Sequence, residues 1–118
     1  MIDLINELRG TIHLLLHVIV PFVIAWLFFR SVWKKSFLIL MATMIVDVDH
    51  LLATPIYQPD RCSIGFHPLH TEWPILLYCI LCVFPKTRLI GLGLVIHMLL
   101  DVSDCVWMKN TWDIVSFF

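Results

Sequence analysis

Four apolar stretches fill most of this chain, more apolar length than a soluble fold of its size can bury. They run over about residues 11–29, 36–53, 70–84 and 88–108. Most of them approach the ~20 apolar residues that a bilayer span needs; the third is short. Of 118 residues, 60% are hydrophobic and only 14% charged, with a mean hydropathy of +0.91. A soluble domain needs more polar surface than that. The expected class is all-α: an integral membrane four-helix up-down bundle, with residues 1–118 forming a single transmembrane domain. Pro74 falls in a first turn, where proline is tolerated, and Pro21 predicts a kink in the first helix.

The connections set the topology. FRSVWKK and FPKTR are short, so the helices they join pair antiparallel. TPIYQPDRCSIGF, residues 54–66, is longer and carries proline and glycine. The short connections hold Arg30, Lys34, Lys35, Lys86 and Arg88, against Arg9, Arg61 and Lys109 on the other side. That bias predicts the short connections in the cytoplasm and both termini outside, periplasmic in a bacterium. MIDLINELRG lacks the basic n-region and cleavage site of a signal peptide, so an uncleaved chain is expected. Nucleic acid is excluded as a partner by the lack of any basic patch interleaved with aromatics. Trp26, Trp33, Trp73, Trp107 and Trp112 read as interfacial anchors. Cys79 and Cys82 read as apolar packing residues, and a disulfide between Cys62 and Cys105, on one side of this drawing, stays open.

The polar residues then fall together. The second stretch ends in VDVDH, residues 46–50, after a run with no charge at all. His13 and His17 start the first helix; Asp47, Asp49 and His50 end the second. His67 and His70 flank the start of the third, and His97, Asp101 and Asp104 lie in the second half of the fourth. All six histidines of the chain are in this set, and in an up-down bundle all four locations share one side. His13/His17 at i, i+4 share a helix face, as do Asp47/His50 at i, i+3 and His97/Asp101/Asp104 at i, i+4, i+7. Asp49 points elsewhere on a regular helix, and contributes only if the helix loosens there or if it orients a histidine.

A carboxylate at the centre of a membrane helix costs about 2.5–3.5 kcal/mol even on lenient scales. The helices offer no matching set of basic residues, and divalent cations balance the four aspartates most economically. Imidazole with carboxylate and no clustered thiolate suits zinc, with manganese or iron as alternatives. Nine or ten donors are too many for one ion and predict two or three, as in hydrolases that activate water and clamp a phosphate. Haem would not need the aspartates. An ion pathway would need polar residues in the other half of the spans, which are apolar. Arg61 is a candidate for holding an anionic group of the substrate, against its pairing with Asp60 at the surface. Thr11, Thr71 and Glu72 lie near enough to support the cluster.

T-I-H-L-L-L-H, D-V-D-H, H-P-L-H and H-M-L-L-D, spread over residues 11–108, resemble the membrane-bound metal-dependent hydrolase family of LexA-binding, inner-membrane-associated hydrolases. The resemblance is stronger to small bacterial inner-membrane relatives of that family. The family is in turn similar to the zinc-dependent phospholipase C and single-strand nuclease superfamily. The resemblance implies a multinuclear zinc site and phosphoester hydrolysis, with His13, His17, Asp47, Asp49, His50, His67, His70, His97 and Asp101 as metal ligands. Asp104 lies outside the motif and rests on helical spacing. Where the family block runs H-R-G-x-T-H-S, this chain has G-F-H-P-L-H-T and lacks the arginine.

The expected function is an intramembrane metal-dependent hydrolase of a lipid or lipid-linked phosphoester, in the inner membrane, with Asp49 or Asp104 as general base. The alternative is a non-catalytic metal-binding membrane protein, for transport or sensing; a protein that anchors a regulator is a third class. Membrane lipid is the expected partner, and a bundle this small leaves room for a homodimer.

Overall fold

The computed structural model describes residues 2–56 and 61–108. Asp60, Lys109 and Trp112, invoked above for pairing, sidedness and anchoring, lie outside the described residues. Four α-helices form: α1 (Ile2–Phe28), α2 (Trp33–Ala42), α3 (Glu72–Leu81) and α4 (Arg88–Met108). Short 3-10 turns occupy Arg30–Val32 and Pro68–His70, and a ten-residue 3-10 helix, Thr43–Leu52, continues α2. No strand occurs among the described residues. The chain is all-helical, as expected.

The boundaries differ from expectation in ways that matter. α1 begins at Ile2, so the mixed N-terminal segment is helical and carries Arg9 onto the bundle face. Pro21 does not interrupt α1. Arg9, His17, Pro21 and Ala25 are buried and, with His13, form one i, i+4 ridge. α3 spans only ten residues, about 15 Å, half of what a crossing needs. Two helical segments, Glu7–Phe28 and Arg88–Trp107, are long and apolar enough to cross a membrane.

The 3-10 helix is the main departure. Runs of this geometry longer than three or four residues are uncommon, and in them side chains at i and i+3 eclipse. Burial therefore repeats every third residue: Leu40, Thr43, Val46 and Asp49 are buried, while Ile45, Val48 and Leu51 are exposed. An α-helix would spread Thr43, Val46 and Asp49 over a wide arc.

α4 is the central helix and packs against α1, α2, α3 and the 3-10 helix. Two glycines permit this. A Cβ on Gly91 would lie 2.6 Å from the Cys82 backbone nitrogen, and one on Gly93 would lie 2.5 Å from Thr43 Oγ1. The end of α3 is closed by α4's first residue, because Arg88 donates from Nε to the Cys82 carbonyl and from Nη2 to that of Val83. Beyond the core, the outer surface is apolar on every helix, including Leu14, Leu27, Leu38, Leu77 and Leu99.

Gly91→Ala and Gly93→Ala should each lower stability in detergent by about 1–3 kcal/mol, through overpacking. Adding Thr43→Ala should recover part of the loss in Gly93→Ala and none in Gly91→Ala, whose obstacle is backbone. Thermal unfolding checks this; rescue of both, or of neither, would contradict these contacts.

Candidate metal centre

Asp49 organises the site from its buried row on the 3-10 helix. Its Oδ2 accepts the Leu69 backbone N–H at 2.9 Å and the His70 Nδ1–H at 2.8 Å, and its Oδ1 accepts from His50 Nδ1 at 3.0 Å. The loop that carries His67 and His70 is thereby tied to the end of the second helical rod. The loop is also closed on itself. Gly65, at φ 79°, turns the chain so that its N–H reaches the His70 carbonyl at 2.9 Å. Tyr78 on α3 donates to the Leu69 carbonyl, and a Cys62–Cys105 disulfide fastens the loop to α4.

With Nδ1 committed to Asp49, His70 turns Nε2 toward Asp101 Oδ2 at 3.1 Å and Asp47 Oδ1 at 3.3 Å. His97 Nε2 lies 3.0 Å from Asp47 Oδ1 and 3.3 Å from Asp101 Oδ2. On α1, His17 donates Nδ1–H to the His13 carbonyl at 2.8 Å, which leaves Nε2 facing Asp101 Oδ1 at 3.4 Å. His13 Nε2 is 3.1 Å from that same oxygen. Carboxylate–histidine and carbonyl–histidine bonds of this kind fix the tautomer that presents Nε2 as a ligand.

Three groups of side chains converge closely enough to hold a metal ion: Asp47, His70, His97 and Asp101; His13, His17 and Asp101; and Asp49, His50 and His67. Donors bonded at 2.0–2.1 Å to one tetrahedral ion stand ~3.3 Å apart. The separations above between these imidazoles and Asp47 or Asp101, 3.0 to 3.4 Å, are of that size. His70 Nε2 and Asp101 Oδ2 are fully buried, and neither makes a hydrogen bond among the described residues despite their proximity. Atoms left so are costly unless a cation lies between them. The donor set thus fits a divalent ion. His67, stacked on His50 with ring centroids 3.8 Å apart, is pushed down to a pKa of about 4 by burial first and by the neighbouring His50 second. It stays neutral, as a ligand must.

Every ligand candidate from the sequence falls within these three groups. Asp49 has both oxygens occupied by hydrogen bonds, which suits it to orienting His70 and His50 rather than to accepting a proton from water. Asp104, the other base candidate, stands outside the groups and pairs with Arg9, Oδ1 to Nε at 3.2 Å. Arg61 lines the site, but its Nη2 donates to the Pro55 and Ile56 carbonyls and its guanidinium lies over the Phe66 ring. Thr11 and Thr71 bond to the carbonyls of Glu7 and Pro68, and Glu72 is exposed. Sequence reasoning missed Arg9. The signal was its spacing, four residues before His13 and eight before His17 on the same ridge.

A cavity of about 510 Å³ opens over the cluster, walled by Glu7, Arg9 and His13 of α1, His67 of the loop, and Asp101 and Asp104 of α4. A family of unknown function (DUF6122) matches residues 7–108, a stretch that holds every residue of this site. The chain belongs to that family. No curated protein and no solved structure matches it. Membership of this family carries no activity with it, so the chemistry has to be read from the site.

Asp49→Asn should weaken divalent-metal binding by about 10–100-fold, the usual cost of losing an orienting partner. Competition with a chromophoric chelator measures it. Wild-type affinity in this variant would refute the orienting role.

Proposed function

We propose that the chain is a multi-pass protein of the bacterial inner membrane that holds two or three divalent ions, zinc foremost, and hydrolyses a lipid or lipid-linked phosphoester. The observation that carries this is Asp101. Its carboxylate belongs to two ligand groups at once, beneath an open cavity. A carboxylate shared in this way is what a multinuclear centre requires, and two of the three groups supply three ligands each, leaving positions for water or substrate. Bound there, divalent ions would polarise a phosphoryl oxygen and bring the pKa of water near neutrality. Of the chain's own residues, Asp49 and the His13 carbonyl hold the imidazoles in register, and the cavity admits substrate from one face.

The apolar exterior supports the membrane part. The apolar window of α1 is only 17% buried, unlike the core helix of a soluble protein. α2 and the 3-10 helix together rise about 35 Å, ten residues at 1.5 Å and ten at 2.0 Å, which suffices for a further crossing. At the end away from the site, Arg30 lies over Trp26 and Lys34 over Trp33, the aromatic and basic pairing of a membrane interface. The disulfide beside the site favours an oxidising compartment on that side, consistent with the charge bias.

The four-ligand group favours a second reading, a closed site that holds metal without catalysis. Elemental mass spectrometry of detergent-purified protein should find two or more divalent ions per chain. His13→Ala and His67→Ala should each lose one, and Asp101→Ala more than one. Phosphodiester and phosphomonoester lipids should be turned over only by metal-loaded protein with His97 intact. Metal retained without turnover of either lipid class selects the second reading; folded protein with no metal sinks both.

A further inference from the structure

His97 differs from its neighbours in what its second ring nitrogen does. His17, His50 and His70 each commit Nδ1, to the His13 carbonyl or to Asp49. His97 directs Nε2 at Asp47 and Asp101, but its Nδ1 is fully buried and makes no hydrogen bond among the described residues. A buried ring nitrogen left so is costly. Metal-bound histidines almost always place that nitrogen on a carboxylate, a backbone carbonyl or a water.

A second, small cavity offers the last of these. It measures about 10 Å³, and His17, Pro21, Thr43, Gly93 and His97 are on its wall. It shares no lining residue with the large cavity over the cluster. Such a volume admits about one water molecule, which needs roughly two to four polar partners. Three of the lining residues provide them. Pro21 has no N–H, so the His17 carbonyl lacks the donor that an α-helix supplies from position i+4. Thr43 spends its hydroxyl hydrogen on the Leu40 carbonyl and keeps only lone pairs. His97 Nδ1 is the third. Gly93 keeps the space open, because a Cβ there would collide with the Thr43 side chain.

The chemistry of these partners is directional. The carbonyl and the threonine oxygen both accept, so a water between them gives each a hydrogen and has only a lone pair left for His97. Nδ1 then carries the proton, and the lone pair of a neutral ring lies on Nε2, toward Asp47 and Asp101. That is the tautomer a metal ligand needs.

We propose that this cavity holds a single structural water, bonded to His97 Nδ1, the His17 carbonyl and Thr43 Oγ1, and that Pro21 and Thr43 are positioning residues for His97 through it. The orienting effect rests on the metal reading. The water itself does not, because Nδ1 needs a partner whether or not an ion is bound.

Nitrogen-15 NMR of the full chain in detergent, labelled in its histidine rings, is the test, with zinc affinity measured by chelator competition alongside. Zinc-loaded wild type should show a protonated His97 Nδ1 whose proton cross-relaxes with a bound water. Pro21→Ala gives the His17 carbonyl a backbone donor, and Thr43→Val removes the hydroxyl. Each should diminish the water contact and weaken zinc binding at least about threefold, the mild end of losing an orienting partner. Thr43→Val, nearly isosteric, keeps the test open should Pro21→Ala not fold. A proline that merely shapes α1 would move the melting temperature and leave water contact and zinc affinity alone. No water contact at His97 Nδ1 in wild type, or an undiminished one in Pro21→Ala/Thr43→Val, overturns the inference and leaves the metal reading standing. Water lost with zinc affinity unchanged overturns the positioning role. A water contact in folded protein that takes up no zinc overturns the metal reading and leaves the water in place.

Discussion

The Asp101 carboxylate is the point on which this bundle turns. It sits 3% exposed on the helix that touches all the others, and four imidazoles from α1, the loop and α4 lie within 3.4 Å of its oxygens. Burying such a charge unpaired would cost several kcal/mol. Whatever neutralises it, whether protons on the histidines or cations between the donors, also decides how closely α1 and the loop approach α4. Fold and site are consequently one problem in this chain. The apolar exterior gives the helices little to choose between, and the polar centre gives them a register.

The 3-10 helix resolves a conflict that α-geometry would have left. Three residues, Asp47, Asp49 and His50, must all reach inward from one short stretch. Eclipsing at every third position puts Asp47 and His50 on one row and Asp49 on the adjacent buried row with Val46. The remaining row, Ile45, Val48 and Leu51, is left wholly apolar and outward. A regular α-helix would have directed Asp49 away from His70, and the loop would have lost its principal anchor.

Much of the site was legible because its signals were local or combinatorial. His13/His17 and His97/Asp101 announce a shared face by spacing alone, and the antiparallel connections bring those faces to one end. The start of α4 near Arg88 was readable because a charged connection there gives way to an apolar run. Asp49 was only half legible. Its orienting task depends on a change of helix type, which comes from tertiary demand rather than from propensity. The extent of α3 was hidden for a similar reason. Thr71 takes an extended conformation, its hydroxyl bonding back to Pro68, and His70 is drawn into the loop by Asp49 rather than into the helix. Arg9 escaped notice because a single arginine in a mixed N-terminal segment reads as a solvated charge until Asp104 is seen across from it.

The vertical placement of the ligands has a consequence for water. His97 lies nine residues past Arg88, about 14 Å up α4, and His17 lies eleven residues before Phe28, about 17 Å up α1. If the basic end marks one interface of a hydrocarbon layer ~30 Å thick, the donors sit close to its midplane. The proposed hydrolysis, at such a depth, would consume a reagent that the surroundings do not supply. The polar lining from Glu7 to Asp104 would give water a route from the open face of the cavity down to the donors.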